Sequence, residues 1–146
     1  MRKVVQLNWA APGDERFRIA QASDLEAFQG ALEEVRNHSI VEDLTYQVDM
    51  YARPRSLGDP LLIQFLVGPH DRSSLLWHMD GYSFTAVDPR VGVWHEGIDF
   101  ARFHGFSVAP PALTRIHLKT ATDALTAYLL SGERTESLLW NELEAD

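Results

Sequence analysis

Leu61-Leu62-Ile63-Gln64-Phe65-Leu66-Val67-Gly68-Pro69-His70-Asp71, followed by Ser74-Leu75-Leu76-Trp77-His78-Met79-Asp80-Gly81-Tyr82-Ser83-Phe84-Thr85-Ala86-Val87, decides the fold. The first run is almost continuously apolar, as in a central strand covered on both faces, until Gly68-Pro69-His70-Asp71 breaks it. The second run returns, turns tightly at Asp80-Gly81, and leaves again with clean alternation from Tyr82 to Val87. Asp88-Pro89-Arg90 then turns into Val91-Gly92-Val93-Trp94-His95-Glu96, read as one more strand. Connections this short join antiparallel neighbours, because a parallel crossover needs a dozen residues or more.

Outward from this meander, Val5, Leu7 and Trp9 alternate with polar residues, Ala11-Pro12-Gly13-Asp14 turns, and Arg16 to Ala20 resumes the alternation as a return strand. Tyr46, Val48 and Met50 mark another strand. Leu25, Phe28, Leu32 and Val35 form the apolar stripe of a first helix. Ser23 caps it, Glu26 reaches back, and Asn37-His38-Ser39 ends it. Gly97 to Pro111 reads as the least regular part, and Leu113 to Leu118 as a short extended piece. Thr120 opens a second helix with Ala121, Ala124, Leu125, Tyr128 and Leu129 on its apolar side, and Gly132 is its left-handed stop. A last strand covers Ser137 to Asn141. The fold class expected is α+β: a twisted antiparallel meander with two main helices packed on it, forming one domain over residues 1–146.

The chain has 146 residues, 45% hydrophobic and 23% charged, enough for one core without staples. It has no cysteine, which excludes disulfides, thiolate metal sites and cysteine nucleophiles. The N-terminal apolar run is cut by Gln6 and Asn8, so neither a signal peptide nor a membrane span is expected, and a cytoplasmic location is. The formal charge is −8, which sets the chain against phosphate backbones and suits it to a basic partner.

Catalytic patterns are sparse. His38, His70, His78, His95, His104 and His117 form neither HExxH nor an i,i+4 pair, so no metal site and no cofactor are expected. His95 and Glu96 are adjacent on the expected strand and point to opposite faces; His78 and His95 can converge only across strands. There is no Gly-x-Ser-x-Gly elbow and no phosphate-cradling glycine loop. Trp9, Trp77 and Trp140 sit in apolar alternation and read as core. Trp94, flanked in register by Gly92 and Glu96, reads as an exposed aromatic anchor. From Asp80 to Asp99, Asp80, Asp88, Glu96 and Asp99 face only Arg90. The segment from Glu133 to Asp146 is also acidic and reads as a solvated tail.

The run Thr120-Ala121-Thr122-Asp123-Ala124-Leu125-Thr126-Ala127-Tyr128-Leu129-Leu130-Ser131-Gly132-Glu133-Arg134, followed by Leu138-Leu139-Trp140-Asn141-Glu142, resembles the C-terminal helix and strand of the first immunity-protein family (Imm) of bacterial polymorphic toxin systems. Matching features are the Tyr128-Leu129 pair, Ser131-Gly132, Arg134 and the strand ending in Trp140. Thr135 stands where that family usually has proline. The upstream order of elements is similar as well. The resemblance implies a non-enzymatic cytoplasmic protein of the deaminase-toxin immunity type, which binds and neutralises a cognate toxin acting on nucleic acid.

An acidic face can dock in the basic groove such a toxin needs. The expected partner-binding residues are Asp80, Asp88, Trp94, Glu96 and Asp99. An unpaired edge strand can also take a second copy of the chain, giving a homodimer. Two alternatives remain: a small-molecule-binding or scaffold module, and an acid–base enzyme relying on His78 or His95.

Overall fold

In the computed structural model, which describes residues 1–144, alternation and turn chemistry give eleven strands. In chain order the elements are β1 (Val5–Trp9), β2 (Arg18–Ala22), α1 (Leu25–Glu42), β3 (Tyr46–Ala52), β4 (Leu62–Val67), β5 (Arg72–Ser73), β6 (Leu75–His78), β7 (Ser83–Val87), β8 (Ile98–Arg102), β9 (Gly105–Ala109), β10 (Ile116–His117), α2 (Leu118–Ser131) and β11 (Leu139–Glu142). The main sheet runs β11-β7-β6-β4-β3-β1-β2, with every neighbour on this path antiparallel, so the fold is α+β. The β8–β9 hairpin is an arm joined to the start of β3, where the Ala101 amide donates to the Thr45 carbonyl at 2.7 Å. The short strands β5 and β10 pair beside it.

The period of two gives the sheet two unlike faces. Leu7, Met50, Ile63, Trp77 and Phe84 stand opposite one another in a row across five strands. This apolar face packs on Phe28, Ala31 and Val35 of α1 and on Ala121, Leu125, Tyr128 and Leu129 of α2. The next row, Asn8, Asp49, Gln64, Leu76 and Thr85, belongs to the other face. There Leu66 packs under Ile98, Phe100 and Ala109 of the arm. The expectation that the Leu61–Val67 run is covered on both faces is therefore corrected: helices cover one face, while on the other the arm covers Leu66 and leaves Leu62 and Gln64 half-buried. No helix is long and apolar enough to cross a membrane among the described residues.

Several boundaries differ from the sequence expectation. Asp24, not Ser23, caps α1, its Oδ1 accepting the Ala27 amide at 2.7 Å. The helix continues past Asn37-His38-Ser39 to Glu42 and stops where Asp43 turns left-handed, at φ 52°. Helix α2 starts at Leu118 rather than at Thr120, and its first amide is satisfied from outside by the Asp71 carbonyl at 2.6 Å. Its end at Gly132, φ 81°, is as expected. Val91 to Glu96 is a loop, not a strand, because side chains take its backbone groups: Arg115 binds the Val91 carbonyl and Arg72 the Glu96 carbonyl. Conversely, the segment from Gly97 to Pro111, expected to be irregular, contains the arm, turning at Phe103-His104 into Gly105 with φ 141°. Residues 145 and 146, the end of the expected acidic tail, lie outside the described residues.

Candidate functional site

The five expected partner-binding residues fall at two ends of β7. Asp80 lies exposed in the β6–β7 turn, beside Gly81, whose φ of 85° the tight turn requires. Asp88 lies beyond the far end, roughly 17 Å of extended chain away along the five residues of β7. It is 3% exposed and accepts the Arg90 amide, Nε and Nη2, each at 3.0 Å. These Arg90 bonds hold its carboxyl below the usual range, so Asp88 closes a turn and presents no free charge.

Trp94 and Glu96 gather around Arg72. The guanidinium lies 4.6 Å from the centre of the Trp94 ring, and its Nη2 donates to the Glu96 carbonyl at 2.7 Å and the Thr114 hydroxyl at 3.0 Å. The Trp94 indole N–H donates to the Thr114 carbonyl at 2.9 Å. Trp94 is thus half-buried rather than exposed, and it pins the Val91–Glu96 loop to the segment before β10. Gly97 continues the loop so close to β9 that a Cβ there would collide with the Ala109 carbonyl.

Asp99 is on the arm itself. In the arm register it stands opposite Val108, and Ala101 opposite Phe106, so Asp99, Val108 and Phe106 share the outer face. Phe106 and Val108 are 62% and 63% exposed, and Val93 of the neighbouring loop is 62% exposed. Asp99 forms no ion pair among the described residues, and the outer edge of β9 has no strand partner among them. A cleft of ≈ 360 Å³ separates the arm from the end of α1, walled by Asp43, Asp99, Phe106, Arg72 and His70. Burial, aided by Arg72, holds the His70 imidazole below its ordinary pKa.

A second constellation crosses the open sheet face. His78 on β6 stands opposite Ser83 on β7, with Nδ1 and Oγ 2.7 Å apart. His78 Nε2 lies 2.8 Å from Gln64 Oε1, and Gln64 Nε2 donates to Asp49 Oδ1 at 3.0 Å. Burial raises the Asp49 carboxyl and lowers the His78 imidazole, and the two groups partly offset each other's shift. A cleft of ≈ 660 Å³ opens over Ser83 and His78, bounded by Met79, Tyr82, Leu143, Glu142 and Glu144. His95 is exposed in the Val91–Glu96 loop, beyond the opposite end of β7, and does not join His78. No group of three or more His, Asp or Glu is arranged to hold a metal ion among the described residues.

Sequence reasoning singled out His78 but missed Asp49, Gln64 and Ser83. Their shared face is visible in the alternation of each strand; their adjacency depends on a cross-strand register that a single sequence does not print. The site belongs to an α+β protein with one helix-covered sheet face, one open face and a projecting arm. Compared with family models, curated proteins and solved structures, the chain finds no match in any of the three.

Proposed function

We propose that the chain is an immunity-type inhibitor that binds a basic, nucleic-acid-acting toxin domain and obstructs its substrate groove through the outer face of the β8–β9 arm. The observation carrying this reading is the placement of Phe106 and Val108, exposed on a strand whose outer edge has no strand partner among the described residues, beside the Asp99 carboxylate, which makes no ion pair among them. Apolar side chains that leave water on docking supply slow release, and carboxylates facing a basic groove supply fast, correctly oriented encounter. The net charge of −8 adds long-range attraction toward the same kind of partner. The resemblance of Thr120–Glu142 to the immunity family supports the same reading. The action is stoichiometric, and it takes place in the cytoplasm where the toxin would meet its substrate.

Of the five residues expected at the interface, Asp99 and Glu96 remain the contributors, with Trp94 and Arg72 shaping the loop beside them. Asp88 holds a turn, and Asp80 lies exposed in the β6–β7 turn at the other end of the sheet. Co-expression with the cognate toxin domain, followed by purification, provides the test. The expected result is cell survival and a one-to-one complex, both lost in a Glu96→Lys, Asp99→Lys, Phe106→Asp variant that keeps its fold. A toxin left fully active at saturating amounts of the chain would overturn the reading.

A further inference from the structure

The open sheet face carries a chemically directed series of side chains that partner binding does not use. We infer that Ser83 is an activated nucleophile, an acyl-accepting serine with His78 as its base, and that its substrates are small, uncharged or cationic carboxylic esters. This site is separate from the arm and goes beyond the inhibitor reading.

Hydrogen-bond direction carries the argument. The Gln64 amide commits its N–H to the Asp49 carboxylate, which can only accept, so it turns its carbonyl oxygen toward His78 Nε2. That oxygen also can only accept, which places the imidazole proton on Nε2 and leaves the Nδ1 lone pair for the Ser83 hydroxyl at 2.7 Å. Every donor in the series therefore points the same way, from Ser83 through His78 and Gln64 to a half-buried carboxylate. A proton leaving Ser83 produces an imidazolium whose charge faces Asp49 across a single amide. Nucleophile, base and orienting group are wired as acyl transfer requires. Burial also keeps the imidazole in its neutral, proton-accepting form near neutral pH.

Access and selectivity come from the cleft. Its ≈ 660 Å³ opens on Ser83 and His78 themselves, with Met79, Tyr82 and Leu143 offering apolar contact and Glu142 and Glu144 at the rim. Two carboxylates there disfavour an anionic ester and tolerate a neutral or cationic one. In the reaction, Ser83 Oγ bonds to the ester carbonyl carbon as its proton passes to His78 Nδ1. The bond from that carbon to the leaving oxygen breaks, and the alcohol departs with the proton from His78, leaving acyl-Ser83. Water then adds to the acyl carbon, giving a proton to His78. The acid is released as Ser83 Oγ takes that proton back, so nothing but ester and water is consumed.

The test exposes the full chain to p-nitrophenyl acetate and, separately, to an uncharged fluorophosphonate, following nitrophenolate release and locating adducts by peptide mass. The expected result is one adduct, on Ser83, absent from Ser83→Ala. The labelling rate is expected to fall about 100-fold or more in His78→Asn, since a positioned general base is worth roughly 10²–10⁴-fold. Ser83→Cys, which keeps a nucleophile at the position, is expected to be acylated in its place, and a carboxylate-bearing ester to react more slowly than the neutral one. Near-ultraviolet circular dichroism confirms that each variant is folded. No adduct on Ser83 in the folded chain, equal labelling of His78→Asn, or faster reaction of the anionic ester would overturn the inference. Toxin neutralisation is expected to be unchanged in Ser83→Ala, so failure of either reading leaves the other standing.

Discussion

Tyr128 on α2 donates its phenolic hydrogen to Asp59 Oδ1 at 2.8 Å, and the carboxylate it meets is 1% exposed. Lys3 Nζ reaches the same group at 2.9 Å, and the Ser56 amide donates to it at 2.8 Å. One carboxylate thereby ties the chain before β1 and the loop before β4 to the helix that covers the sheet. Burial works to raise the Asp59 carboxyl, but the bonds from Lys3, Ser56 and Tyr128 outweigh it and hold the group below its usual range. Burial and the Asp59 bond both push the Tyr128 phenol upward, so it stays protonated.

Tyr128→Phe leaves a buried carboxylate short of one donor and is expected to cost about 1–3 kcal/mol, read as a lower urea midpoint at unchanged slope. Because the folded Asp59 pKa is depressed, its contribution is fully present above the unfolded carboxylate pKa of about 4 and is lost as pH falls through the folded value. The stability gap between the wild-type chain and Asp59→Asn is therefore expected to narrow below about pH 4 and to stay constant between about pH 5 and 8. A gap that widens on acidification would contradict this assignment.

The cap of α1 separates two adjacent residues. Asp24→Ala removes the side-chain acceptor for the Ala27 amide and is expected to cost about 1 kcal/mol. Ser23→Ala, next to it and exposed, is expected to change stability by less than about 0.5 kcal/mol. Thermal unfolding of the two variants decides between them.

What was legible in the sequence follows from how local each signal is. The meander could be read because alternation and the Asp80-Gly81 turn are written in consecutive residues, and Gly132 marked its helix end by its backbone freedom alone. The α2 start is not legible locally because the Leu118 amide is satisfied by Asp71, forty-odd positions upstream in a β4–β5 connection whose placement only the folded chain defines. The Val91–Glu96 loop reads as a strand because its apolar residues alternate, while the groups that take its carbonyls belong to Arg72 and Arg115. Ile98-Asp99-Phe100 and Phe106-Ser107-Val108 do alternate, but the surrounding Gly and Pro mask the pattern. Among the site residues, Asp80, Glu96 and Asp99 are exposed, while Asp88 and Trp94 are not, because a short Arg90 contact and a tertiary Arg72 stack lie outside the reach of composition.

Leu66 offers a way to disturb the arm from beneath. It is 1% exposed and packs only under Ile98, Phe100 and Ala109 in its cluster, away from the helix-covered core. Leu66→Ala is expected to destabilise the protein by about 2–5 kcal/mol. Amide exchange in β8 and β9 is expected to accelerate more than exchange in β1 or β3, because the arm meets the sheet backbone by a single parallel step. Uniform acceleration across all strands would mean that the arm is held by something other than this contact.

Charge and apolar contact on the arm are expected to separate kinetically in complex formation with the toxin domain. Asp99→Lys leaves Phe106 and Val108 in place, so it is expected to lower the association rate several-fold at low salt, an effect that shrinks as ionic strength rises and screening shortens to about 10 Å near 0.1 M. Phe106→Ala leaves the charge and removes the side chain expected to be most deeply desolvated on docking. Its effect is expected mainly in faster dissociation, by about 10-fold or more, with little salt dependence. Stopped-flow association and surface-based dissociation measurements resolve the two. If both variants change the same rate constant with the same salt dependence, Asp99 and Phe106 do not play the distinct parts assigned to them on the arm.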